Sequence, residues 1–521
     1  MKPSLASAAV GQLALAGLLA LACSSGGNGS ETNSTPARDT AEPPPEVVEF
    51  AEDWPLPGRD YANSRAVLDS PISRDTVEQL EVVWTHAMPG FGSFGNAATT
   101  PLIVDEVVYL QDLSSNVHAL DRETGEVLWQ EEYGLPQIGP NGVALGWGKL
   151  FVAKGSEEIA ALDAGTGEEL WSTSIVASET DGIDIQPTVI GGLVLASTVP
   201  ISVDGLFQGG DRGVIHALDA ETGEVVWKFD TVAGDDVWGN PEINAGGGAW
   251  YPPAVDPDSG VVYWGTANPA PFPGTAEYPN GSSRPGPNLY TDSVLALDVG
   301  TGELLWYQQA TPHDLFDRDL VLVAIADVET GGASHRVVIG TGKLGRVIGH
   351  DPASGEVLWD TPVGRHDNDD LEELDGPTDV LPGTFGGVIT PPAVAEGVVY
   401  VAVVNAPTTL EPDVEALWGS RLGTYPGQVV AIDAADGEVL WDRQIDGDPL
   451  GGVLVVNDLV FTGTYRGRIY ALDRRTGEIV WQFDAPGGIN GSPAAVGDMV
   501  VWPVGMADPP SLVAFRLGAG G

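Results

Sequence analysis

The chain has 521 residues, 23 Lys and Arg against 74 Asp and Glu, and a formal net charge of -51. That field repels polyanions, which excludes nucleic acid and excludes anionic lipid held through a basic surface. A single cysteine, Cys23, excludes any disulfide within the chain.

Residues 1–23 start with Lys2 and run through AAVGQLALAGLLALA, a stretch too short and too small in its side chains for a membrane span. It reads as a secretory signal. The run ends in LLALAC, which resembles a bacterial lipoprotein box with Cys23 as the lipidated residue; an ordinary signal with an incidental cysteine is the other reading. The expectation is an extracytoplasmic protein held to a membrane by its lipid alone. Ser24 after the cysteine, in place of an aspartate, points to the outer membrane. Residues 24–50 are rich in Ser, Gly, Pro and Glu, cannot bury a core, and are expected to be a disordered tether. The folded part is expected over 51–518.

Within it one phrase, [AG]-x-D-x-x-[TSD]-G-E-x-x-W, occurs seven times, with aspartates at Asp121, Asp163, Asp219, Asp298, Asp351, Asp433 and Asp473. Each Asp is followed by Gly four residues on and by Trp eight residues on. This is a hairpin: Asp ends a strand and caps the turn, Gly takes a positive φ, and Trp on the returning strand buries its ring between units. Successive aspartates lie 42, 56, 79, 53, 82 and 40 residues apart, a unit of about 40 residues with insertions. Strand-rich units of this period predict an all-β fold, a β-propeller of four-stranded antiparallel blades. Seven copies give seven blades. LEVVW with Trp84 near the start, and PAAVGDMVVWPVG and SLVAFRL near the end, supply an eighth that closes the ring with strands from both termini. Seven is the count if those strands only extend a neighbour.

Between the repeats, in chain order, stand DWPLPGRDYANSRA from Asp53, GGGAWYPPAVDPDSGVVYWGTANPAPF, TPHDLFDRD, and GGVLVVNDLVFTGTYRGRIYALDRRTGEIVWQF. These segments resemble those of quinoprotein alcohol dehydrogenases, eight-bladed enzymes that use pyrroloquinoline quinone. The resemblance implies a site. Trp250, after a glycine run, is the floor on which the quinone stacks. Asn268, in NPAP, gives an amide oxygen to a calcium or lanthanide ion. Asp317 is both metal ligand and general base, and Asp319 is the second carboxylate of lanthanide-using members. Lys343 contacts the quinone oxygens and stabilises the reduced cofactor. The substrate implied is an alcohol, small or polymeric.

The pattern departs from the family in that one pocket. The family's vicinal cysteines are absent, Gln208 stands at a glutamate metal ligand, where its uncharged amide oxygen can still bind the hard cation, Ala98 stands at a glutamate near the cofactor, and Ile389 and Thr390 at an Asn-Trp pair. No C-x-x-C-H occurs, so no c-type haem is fused to the chain and electrons pass to a separate acceptor such as a cytochrome c. Two readings stay open: a lipid-anchored quinoprotein dehydrogenase, and a noncatalytic propeller of the outer-membrane-assembly type.

Overall fold

The computed structural model describes residues 41–88, 94–201, 211–414 and 421–518. These residues form a propeller of eight blades. Blade 1 is built from Leu102–Val104, Val107–Gln111, Val117–Asp121 and Val127–Glu131, joined in sequence order as an antiparallel meander. Its first three strands are buried almost throughout and its outermost is half-buried to exposed, as expected where one strand lines the axis and the last faces solvent. The other blades repeat the plan. Blade 4 comprises Ala254–Asp256, Val261–Gly265, Ser293–Asp298 and Leu304–Gln309, and blade 5 comprises Leu322–Thr330, Ala333–Thr341, Arg346–His350 and Val357–Pro362.

Blade 8 is made from both ends of the folded region. Ala494–Val496, Met499–Val504 and Ser511–Leu517 form three strands, and the fourth is Leu80–Ala87, with Leu80 opposite Leu517. A further short strand, Ala66–Val67, lies parallel to Pro449–Val456 of blade 7. Strands that precede blade 1 thus complete the sheet of blade 8 and extend that of blade 7.

The repeated phrase explains how blades lock together. In blade 4, Asp298 Oδ1 accepts from the N–H groups of Gly300 and Thr301 (3.1 and 2.9 Å) and from the Thr301 hydroxyl (2.8 Å), and the Asp298 carbonyl accepts from Gly302 N–H. Gly302 has φ 70°, and a β-carbon there would lie 2.5 Å from the Trp227 ring of blade 3. Trp227 Nε1 donates to the Val299 carbonyl of the same turn (2.9 Å). The motif tryptophans of blades 1 to 6 therefore lie flat on the turn of the next blade, and glycine is needed there both for its φ and for the ring it carries. Among the described residues the same Nε1-to-carbonyl bond joins Trp84 to Arg122, Trp129 to Ala164, Trp171 to Ala220, Trp306 to Pro352, Trp359 to Ala434 and Trp441 to Arg474. Trp84, which has no motif before it, is thus the docking tryptophan of blade 8. Trp481 of blade 7 faces a blade whose outer strands are not joined by a turn, and packs instead against Phe483 and Phe515. Replacing Gly302 by Ala is expected to cost about 2–3 kcal/mol, from the left-handed φ and from overpacking against the ring. Urea unfolding of G302A beside the wild type measures it.

The segment expected to be a tether through residue 50 is ordered in its last part. Pro45–Glu49 form a short helix, the Glu46 carboxylate accepts from the N–H groups of Trp147 and Gly148 (2.9 and 2.5 Å), and the buried Pro44 packs over Gly146. A buried proline and a carboxylate capping a blade 2 turn give this stretch partners that its composition does not advertise. Cys23 and Gln208 lie outside the described residues.

Candidate active site

The site residues come from connections at the ends of the inner strands of blades 4 and 5. Ahead of Trp250, Ala245–Gly246 pairs with Pro269–Ala270. Gly246 has φ 131°, and a β-carbon there would sit 2.6 Å from the Asn268 carbonyl; at Gly248 it would meet Val199 at 2.8 Å. The glycines of GGGAW thus let two backbones lie against each other, with Gly247 N–H donating to the Asn268 carbonyl (3.1 Å). That contact brings Trp250 beside Asn268.

The TPHDLFDRD loop is wound about Asp314, whose carboxylate accepts from Phe316 and Arg318 N–H (2.7 and 2.6 Å). Asp317 follows with φ 63°, a left-handed conformation that Asp tolerates better than most residues. Such backbone at a cavity wall is where a loop re-aims a side chain. Leu320 then bridges Thr266 of blade 4, and Lys343 N–H donates to the Asp319 carbonyl (2.9 Å), which aligns this loop with the Thr341–Arg346 turn of blade 5. Gly342 is required there, because a β-carbon would collide with the Asp319 carbonyl.

These contacts bring five predicted residues, Trp250, Asn268, Asp317, Asp319 and Lys343, into the wall of one cavity of about 350 Å³. Lys343 Nζ lies 2.9 and 3.0 Å from the two Asp317 oxygens, 2.8 Å from Asp319 Oδ2 and 5.6 Å from the centroid of the Trp250 ring. Asn268 N–H donates to Asp319 Oδ1 (2.8 Å), and its Nδ2 donates to the Pro269 carbonyl (3.1 Å), so Oδ1 is the atom the amide offers. Burial pushes the Asp317 carboxyl up to about 8 against the pull of Lys343. Burial works the other way on the ammonium, and the two carboxylates overcome it, holding Lys343 above its usual value. The Lys343 ammonium is hydrogen-bonded to both aspartates. Ala98, Ile389 and Thr390, the three described departures, line the same cavity. The ring nitrogens of His313 lie against the backbone carbonyls of Gly286 and Asn280.

Sequence reasoning missed part of the wall. Arg65, in the NSRA of the opening segment, is buried and donates to the carbonyls of Val453, Pro57 and Pro493 and to Thr100 Oγ1, so it is a brace between blades. Asp184 lines the cavity without a cationic partner, and nothing in its local sequence signals that. Behind the wall, Asp292 is fully buried with neither carboxyl oxygen hydrogen-bonded. Burial, then the charges of Asp314 and Asp319, hold Asp292 well above the carboxylate range, and burial does the same to Asp184. The folded chain keeps protons here that the unfolded chain gives up above about pH 4, so stability is expected to fall as pH rises through that range. Asp292→Asn, which stays neutral, is expected to flatten the pH dependence of the melting temperature.

The family profile described as "Glucose/ethanol/alcohol dehydrogenase, beta-propeller domain" matches residues 54–144 and 177–372, across both the opening segment and all five cavity residues above. The chain belongs to this family. A second profile, of an outer membrane protein assembly factor, matches residues 426–515. Among curated members of the dehydrogenase family, a quinohemoprotein alcohol dehydrogenase of Comamonas testosteroni is 29% identical over 407 residues, which cover 69% of this chain and 56% of that one. A dehydrogenase subunit of an alcohol dehydrogenase (quinone) from Acetobacter aceti is 30% identical over 59% of this chain and 45% of its own. The chain spans about half the length of the curated relatives it matches. In fold it is similar to the solved Comamonas testosteroni enzyme, with a TM-score of 0.78 at 24% identity over 91% of this chain and 81% of that one. It is also similar to a europium-containing methanol dehydrogenase, with a TM-score of 0.76 at 21% identity over 91% of this chain and 100% of that one.

The residues accommodate this family's flat quinone and hard cation. The cavity has the size of a small-molecule site. Trp250 offers an aromatic face with Tyr251 beside it, ring centroids 4.7 Å apart, and the buried Thr390 hydroxyl has no protein partner. No group of three or more Asp, Glu, His or Cys side chains able to hold a metal occurs among the described residues. The oxygen donors present, two carboxylates and the Asn268 amide, suit a hard cation that takes further oxygens from elsewhere.

Proposed function

We propose that the chain is a pyrroloquinoline-quinone dehydrogenase that oxidises an alcohol or polyol and passes electrons to a separate acceptor. The observation that carries this reading is the meeting of Trp250, Asn268, Asp317, Asp319 and Lys343 in one buried cavity of a chain that belongs to the dehydrogenase family. When bound, the quinone supplies the hydride acceptor and a calcium or lanthanide ion the Lewis acid. Asn268, Asp317 and Asp319 are the residues that would hold the ion, and Trp250 the one that would face the ring. Asp317 takes the substrate hydroxyl proton on a carboxylate oxygen, and its raised basicity suits that task. Lys343 and Asp319 fix its position by the contacts given above. The apolar wall, with Ile389 where the family has a polar residue, keeps water from the reacting carbon. Lipid attachment at Cys23 on the extracytoplasmic side, in the outer membrane, belongs to the same proposal and rests on the LLALAC segment.

The test is a titration of the purified chain with pyrroloquinoline quinone in calcium and, separately, lanthanum. Tight one-to-one binding and alcohol-dependent dye reduction are expected. Absence of binding with either ion overturns the reading and favours a propeller that serves as a binding scaffold, for which the assembly-factor match over residues 426–515 is the support.

A further inference from the structure

Trp250, Asn268, Asp317, Asp319 and Lys343 come from blades 4 and 5 and the connection ahead of them; the part of the cavity wall that blades 6 to 8 supply is of a different kind. It is hydrocarbon. Ile389 precedes the first strand of blade 6, Ala393–Ala395, Leu422 precedes its third, Gly427–Asp433, and Leu450 lies in Pro449–Val456 of blade 7. These three side chains pack in one cluster. Phe385, between blades 5 and 6, and Phe94, in the connection from blade 8 into blade 1, line the same space, and their rings meet with centroids 6.4 Å apart and planes at 55°. An aromatic pair at that distance is in contact, so two distant connections join in one apolar surface.

The amides in the wall do not offset this. Asn63 Nδ2 donates to the Pro252 and Val323 carbonyls (3.2 and 3.0 Å), Gln137 Nε2 to those of Ala153 and Gly155 (3.0 and 2.8 Å), and Gln186 Nε2 to those of Thr100 and Val143 (both 3.0 Å). Asn490 Nδ2 donates to the Phe94 carbonyl (3.2 Å) and so holds one of the two rings in place. Their N–H groups are spent on backbone. One hydroxyl is received at Asn268, Asp317 and Asp319, and beyond it a substrate that reaches blades 6 to 8 lies against Ile389, Leu450 and the phenylalanines.

We propose that the cavity selects alcohols with an apolar body, an alkyl chain of several carbons or an aryl group, over polyols, and that Phe385, Leu450 and Phe94 are the residues that select it. The inference rests on the proposed function and deepens it by naming the substrate class. A further hydroxyl set against this wall gives up water without gaining a partner, which costs roughly ten- to a hundredfold in kcat/KM. Each methylene placed there gains about fourfold, the transfer free energy of one CH2 expressed as a rate.

The full chain, loaded with pyrroloquinoline quinone and whichever of calcium and lanthanum supports activity, is assayed by dye reduction with ethanol, 1-propanol, 1-butanol, 1-pentanol and 1,4-butanediol. The last two are the same length and differ in a terminal methyl against a hydroxyl. For the wild type, kcat/KM is expected to rise about fourfold per methylene from ethanol to 1-pentanol. 1,4-Butanediol is expected at least tenfold below 1-pentanol. In Phe385→Ala and in Leu450→Ala the ratio of kcat/KM for 1-pentanol to that for ethanol is expected to fall at least fivefold. Each ratio is taken within one preparation, so a loss of folded protein cancels. A wild-type series without a slope, or a diol used as well as 1-pentanol, overturns the inference while the proposed function stands; a slope unchanged in both variants overturns the assignment of the selecting residues. Failure to bind the quinone with either ion overturns the proposed function and this inference together.

Discussion

Asp317→Asn is expected to lower kcat for alcohol oxidation by about 10²- to 10⁴-fold while leaving the Kd for the quinone within a few-fold, the range set by removing a positioned general base. The amide fills the same space beside Lys343, and Asp319 still pairs with the ammonium at 2.8 Å, so the cavity keeps its shape. What the variant loses is a carboxylate oxygen able to accept the hydroxyl proton. Steady-state kinetics with saturating quinone and calcium, beside a binding titration, separate the two effects. Activity within tenfold of the wild type would remove Asp317 from the chemistry. A parallel loss of quinone binding would assign it to holding the cofactor instead.

Lys343→Met is expected to destabilise the fold by about 3–5 kcal/mol, the typical cost of removing one partner from a buried ionic cluster. The methionine side chain replaces the hydrocarbon stem but leaves Asp317 and Asp319, whose side chains are 4% and 2% exposed, facing each other without a cation. The loss is expected to be largest at neutral and alkaline pH and to shrink as acid neutralises the carboxyls. Urea unfolding at pH 5 and pH 8 reads that difference. Adding Asp317→Asn to Lys343→Met removes one of the stranded charges and is expected to recover part of the stability; a double variant no more stable than the single one would place the damage in packing.

The ring was legible because its code is local and repeated. Asp caps a turn through atoms two and three residues away, Gly supplies the φ, and Trp docks on the next copy of the same turn, so seven short windows specify seven junctions. Closure by both termini followed from two unpaired strand patterns, and the pairing of Leu80–Ala87 with Ser511–Leu517 realises it. The cavity was legible only where a resemblance marked it. Trp250, Asn268, Asp317, Asp319 and Lys343 lie in recognisable segments, but their meeting depends on close backbone approaches at Gly246 and Gly342, which no periodicity reports. Asp184 was invisible for a different reason. In a chain with 74 acidic residues, one more aspartate carries no signal until its lack of a cationic partner is seen in three dimensions. The helix at Pro45–Glu49 escaped notice because its stability comes from Trp147 and Gly148 of another element and not from its own five residues.

The origin of blade 8 also sets a timetable for folding. Strand Leu80–Ala87 is synthesised before blade 1, yet its partner Ser511–Leu517 follows all seven of the other blades. Closure of this strand pair spans the loop from Ala87 to Ser511, a separation that topology alone makes slow to close. During that interval the C-terminal strands of a second chain are chemically identical to the strand's own partner, so exchange between chains is the misassembly this design invites. The junction being closed is also where Trp481 has no turn to rest on. The junction that lacks a tryptophan-on-turn lock and the strand pair of widest sequence separation therefore meet at the same blade.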